Sequence, residues 1–138
     1  MRRITAYRAL CGLLGIPLIL LGVGLVLGFF RAMAPGGEPP GPLVPLGPNG
    51  LYYMAFLGTA LVGWGGGLVG AMRQPETSRS VGTATAVALV LSAGYRMLAW
   101  FLGDYYFLGE ILRVEAAILL LLALAFVWLR PPKPATAS

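Results

Sequence analysis

Four long apolar runs constrain this chain more than any other feature. They cover residues about 9–30, 51–72, 81–103 and 108–129, with few charges inside them. A helix rises about 1.5 Å per residue, so roughly 20 residues cross a hydrocarbon core about 30 Å thick. A strand reading fails, because the runs are too long and lack polar alternation. Composition points the same way: 58% of residues are hydrophobic and 11% charged, against about 25% charged in soluble domains. Too little polar surface remains to face water on every side. The expected fold is all-α, an integral membrane four-helix bundle forming a single domain over residues 1–138.

Basic residues set the expected orientation. Arg2, Arg3 and Arg8 precede the first run, Arg73 and Arg79 lie between the second and third, and Arg130 and Lys133 follow the fourth. If the helices alternate, all seven fall on one side, opposite Arg31, Glu38 and Asp104. The positive-inside rule then puts the N and C termini in the cytoplasm and the chain in the inner (cytoplasmic) membrane. Tyr52, Tyr53, Tyr105, Tyr106 and Phe107 mark the outer ends, Tyr7 and Trp128 the inner ones. The first apolar run exceeds the 7–15 residues of a secretory leader, so it is expected to stay as a helix.

The connections differ in kind. Residues 31–50 form a Pro- and Gly-rich outer loop containing Pro35, Pro39, Pro40, Pro42, Pro45 and Pro48, where neither helix nor sheet is expected. It reads as a linker in the headgroup region, with a lid over the bundle mouth as the alternative. The other two loops are short, which makes helices two, three and four antiparallel neighbours. The tail 131–138 reads as disordered.

Helices in lipid associate through close packing of small residues. Four-residue spacing singles out Gly24 and Gly28 on helix one, and Gly63 with Gly67 and Gly66 with Gly70 on helix two. Ala84, Ala88 and Ser92 make the corresponding stripe on helix three. Pro17 frees the Leu13 carbonyl and should bend helix one.

Several function classes fall away. The single cysteine, Cys11, excludes an internal disulfide and a cysteine-cluster metal site, and there is no histidine. No metal and no cofactor is therefore expected. The net charge of +5 sits at the ends of apolar runs, not in a patch interleaved with aromatics, so nucleic acid is not an expected partner. The lipid bilayer is, together with a membrane-protein partner or a homo-oligomer.

Ionisable residues inside the spans carry the most information. Arg96 lies near the outer end of helix three and Glu115 near the outer start of helix four. Antiparallel packing puts both about 10 Å below the outer surface. Intramembrane charges seek partners, since each costs roughly 2.5–3.5 kcal/mol on insertion scales. Arg96 and Glu115 are the natural pair, and a guanidinium can grip a carboxylate with two parallel bonds. Trp100 and Asp104 follow Arg96 at four-residue steps on one flank, while Glu110 and Arg113 are spaced to pair on helix four. Arg96, Trp100, Asp104, Glu110, Arg113 and Glu115 are thus the candidate ligand-binding residues. They read equally as a polar clamp between helices three and four and as a pocket open to the outside.

Four short spans, the glycine-rich stretch Tyr52 to Gly70, and Tyr95-Arg96 with Glu115 resemble the small bacterial four-helix membrane proteins of the DoxX-like group. That resemblance implies thiosulfate or quinone redox chemistry, or no assigned activity, with Arg96 and Glu115 as site residues. Three function classes stay open. One is a non-enzymatic accessory or scaffold subunit. The others are a small-solute carrier and a DoxX-like oxidoreductase subunit.

Overall fold

The computed structural model describes residues 2–37, 48–102 and 110–132. They form α1 (Arg2–Met33), α2 (Pro48–Arg73), a short 3-10 turn (Pro75–Thr77), α3 (Arg79–Leu102) and α4 (Glu110–Leu129). The fold class is all-α as expected, and all four helices are long and apolar enough to cross a membrane. Most of the expected outer loop (38–47), residues 103–109 and most of the tail (133–138) lie outside the described residues.

Helix boundaries differ from the apolar runs for local reasons. α1 starts at Arg2, not near residue 9, because Tyr7 and Arg8 find partners on the α2–α3 connection and at the end of α2. It passes Pro17 as one continuous helix and ends at Met33. Behind it the Gly37 N–H donates to the Ala34 carbonyl at 2.8 Å. Gly36 lies at φ +74°, a glycine following Pro35 as a type II turn requires. α2 begins on Pro48, a residue suited to the first helical position because its N–H would be unpaired there anyway.

The chain divides into two compact units. In the unit Cys11–Gly70, the α1 and α2 backbones approach closely at two points. A Cβ on Gly22 would stand 2.5 Å from the Gly58 carbonyl oxygen, and one on Gly65 would stand 2.6 Å from that of Gly15. Gly15 meets Gly65 and Gly22 meets Gly58, which is antiparallel packing with a seven-residue, two-turn repeat on both helices. Ile19, Leu25, Val26 and Val62 fill in around these glycines.

The glycines singled out by four-residue spacing are placed differently. At Gly24, Gly63, Gly66, Gly67 and Gly70 a Cβ would meet no described atom within 4 Å, and Gly28 is half-buried. Short-range spacing finds glycines that share a face. It does not say which face has a partner.

The other unit holds Met1–Leu10 and Ala71–Ser138, and in it α3 packs along α4. α3 buries Gly82, Thr85, Ala86, Leu89, Ala93 and Ala99, and α4 buries Leu112, Ala116, Ala123 and Phe126. The expected stripe lies to one side: Ala84 is exposed, Ala88 and Ser92 half-buried. One residue turns a helix by about 100°, so the row Thr85–Leu89–Ala93 faces inward where its neighbour does not. Large apolar side chains point away from the protein along the helices, among them Leu13 (74% exposed) and Phe101 (80%).

The close approach at Gly22 yields a paired prediction. Gly22→Ala puts a methyl group against the backbone of Gly58 and Val62, where only movement of the helices relieves it. It should cost about 1–3 kcal/mol and lower the thermal unfolding midpoint in detergent. Gly24→Ala, with open space at its Cβ, should leave that midpoint unchanged.

Candidate functional site

Antiparallel packing of α3 and α4 brings two rungs of polar side chains together. Arg96 Nε donates to Glu115 Oε2 at 2.8 Å, and Arg96 Nη1 donates to the Ser92 carbonyl at 3.3 Å. The grip on the carboxylate is therefore single, not the two-pronged one expected. A backbone acceptor one turn back along α3 engages Nη1 on the other side of the guanidinium. One turn further on, Arg113 of α4 lies over the Trp100 ring of α3, its guanidinium carbon 4.9 Å from the centroid. This is a cation–π contact.

Sequence spacing pairs Arg113 with Glu110. The structure adds Trp100, whose flat face lies across the interface. The side chain of Glu110 and all of Asp104 lie outside the described residues. The Arg96 and Glu115 side chains remain 33% and 48% exposed, so the pair sits on the outside of the α3–α4 interface. Neither makes another hydrogen bond or ion pair with a described side chain. Part of the carboxylate and part of the guanidinium thus remain available to another group.

A second polar assembly, missed by sequence reasoning, lies where α1 begins, α2 ends, α3 begins and α4 ends. Tyr7 is fully buried. Its hydroxyl donates to the Ser78 carbonyl at 3.0 Å, and its ring meets Phe126 edge-on, with centroids 6.2 Å apart. Gly82 leaves the room, since a Cβ there would lie 2.6 Å from the Tyr7 oxygen. The Ser78 carbonyl also accepts the Gly82 N–H at 3.2 Å, and the Ser78 hydroxyl donates to the Pro75 carbonyl at 2.9 Å.

Arginines complete this end. Arg79 Nη1 donates to the Pro131 carbonyl at 2.7 Å, and Arg130 Nη1 donates to Thr83 Oγ1 at 3.3 Å. Arg8 Nε donates to the Met72 carbonyl at 3.1 Å, and the Arg3 guanidinium carbon lies 5.5 Å from the centre of the Trp128 ring. Tyr7 is thus a core residue and not the interfacial aromatic that its position ahead of an apolar run indicates. The visible cue was Ser78 and Gly82, four residues apart at a helix start, but nothing in the sequence tied Tyr7 to them.

No protein-family model matches this chain, and neither a curated protein nor a solved structure matches it.

Two stability measurements follow. Tyr7→Phe removes one buried hydrogen bond while the Ser78 carbonyl keeps the Gly82 N–H, so it should cost about 0.5–1.5 kcal/mol in thermal or denaturant unfolding. Arg96→Ala and Glu115→Ala should be non-additive by more than about 0.5 kcal/mol in a double-mutant cycle. The partial exposure of the pair keeps the coupling modest, and strict additivity would mean that the contact contributes nothing.

Proposed function

We propose that this chain is a multi-pass protein of the cytoplasmic membrane with both termini inside, serving as a non-enzymatic accessory or scaffold subunit. The outward-facing side of the α3–α4 pair docks a partner helix in this reading. Support for membrane insertion comes from four long apolar helices with large apolar side chains turned outward, a surface that soluble monomers do not tolerate. Support for the orientation comes from the arginines gathered where α1 begins, α2 ends and α4 ends.

The carrying observation is the exposed Arg96–Glu115 pair. Met97, Leu98 and Val114 surround it with outward apolar side chains. A half-exposed ion pair in such surroundings is costly facing lipid alone. A polar group from a neighbouring helix would engage the remaining donor and acceptor sites of the pair. A solute carrier or a DoxX-like oxidoreductase would use the same two residues, with Glu115 exchanging a proton or Arg96 holding an anionic or quinone-like headgroup.

A charge swap separates these roles. Arg96→Glu combined with Glu115→Arg should restore most of the stability lost in either single variant. It should also lose the partner that co-purifies with the native chain in mild detergent, read by quantitative mass spectrometry. Recovery of only a homo-oligomer from the native chain would remove the accessory-subunit reading. Proton-coupled solute movement abolished by Glu115→Gln would favour the carrier, and quinone-dependent redox activity lost in Arg96→Ala the oxidoreductase.

A further inference from the structure

The connection between α2 and α3 bounds an open cleft of about 380 Å3, within the size range of small-ligand sites, ~300–1,000 Å3. Ile4 and Arg8 of α1 form one side, and Arg73, Gln74, Glu76 and Thr77 the other. The lining arginines differ from the rest at this end of the protein. Arg79, Arg130 and Arg3 are engaged by Pro131, Thr83 and Trp128. Arg8 is anchored through Nε alone, and its terminal nitrogens have no acceptor among the described residues. Arg73, the last residue of α2, makes no hydrogen bond or ion pair with any described residue.

No ion pair joins Glu76 to either arginine, so their donors stay open while its charge offsets part of theirs. Gln74 adds uncharged amide donors, and Thr77 already donates its hydroxyl to the Gln74 carbonyl at 3.3 Å. Two arginines lining one cleft with a single carboxylate offer a receptor for an anion with several acceptor oxygens. Guanidinium forks match phosphate oxygens in geometry as well as charge.

We infer that this cleft binds a phosphate ester, with Arg8 and Arg73 contacting its oxygens and Glu76 opposing its charge. Two sources carry that chemistry: the headgroup of an anionic phospholipid, which rests on the membrane reading above, and a soluble phosphate. The residues are separate from Arg96 and Glu115, so failure here leaves the docking proposal standing.

The test uses the full chain, purified in detergent and stripped of lipid. Binding is titrated by native mass spectrometry with phosphatidylglycerol, with diacylglycerol as a phosphate-free control, and with inorganic phosphate. Arg73→Gln should weaken phosphatidylglycerol binding about five-fold, the effect of one surface arginine on an anionic headgroup, and Glu76→Gln should strengthen it. Neither side chain makes a hydrogen bond or ion pair with a described residue, so both variants should fold. Diacylglycerol should not bind. If inorganic phosphate shows the same dependence on the two variants and phosphatidylglycerol binds no better, the source is a soluble phosphate. Binding of both phosphate probes unaltered in both variants would overturn the site.

Discussion

The Ser78 carbonyl is the point on which one unit of the protein turns. It accepts the Gly82 N–H and the Tyr7 hydroxyl together. The first bond opens α3 and the second holds the N-terminal turns of α1 against the connection from α2. Both lone pairs of a buried oxygen are thereby used, which matters because an unpaired buried polar group costs about 1–3 kcal/mol. Placing Tyr7 there places Arg8 one residue on, within reach of the Met72 carbonyl at the end of α2. The cleft beside it has a wall only because that segment is docked. A single backbone oxygen thus organises a helix start, a helix–loop contact and the geometry of an arginine pair.

The helices were legible in the sequence because their signal is collective. Twenty apolar residues have no other regular structure available, so small errors at any one position do not matter. Boundaries depend on single contacts, and those were invisible. Residues 2–8 look like a polar leader to the first apolar run, yet they are helical because Tyr7 has a buried acceptor waiting across the chain. The packing glycines show the same limit. Spacing identified Gly63, Gly66, Gly67 and Gly70 as a stripe, whereas the backbones meet at Gly58 and Gly65. The choice between the two sets is made by the register of Gly15 and Gly22 on the facing helix, which is a property of the pair and not of either segment.

Arg96 and Glu115 were legible for a different reason. Two antiparallel neighbours joined by a short loop have residues at matched distances from that loop at the same depth, and only one basic and one acidic side chain fitted. The arithmetic finds the pair without resolving its details. Nη1 of Arg96 turns to the Ser92 carbonyl, because a helix offers a carbonyl one turn back to any long side chain bent that way. Arg113 lies over Trp100 across the interface, a contact that spacing along α4 alone does not reveal.

Counting positive charge treats the arginines at the junction end as equivalent, and the structure separates them. Arg79 and Arg130 each donate across the α3–α4 interface, so their guanidiniums serve as crosslinks between the first turn of one helix and the end of the next. Arg3 is held by an indole face. These three keep their charge but have little freedom left to meet a ligand. Arg73 stands at the end of a helix whose last carbonyls attract cations, and no described residue pairs with it. The same residue type therefore does three jobs within a few turns: setting the charge asymmetry, fastening helix ends, and leaving donors open in a cleft. Only the last carries information about what this end of the protein meets. It is found by asking which donors the fold has left unused.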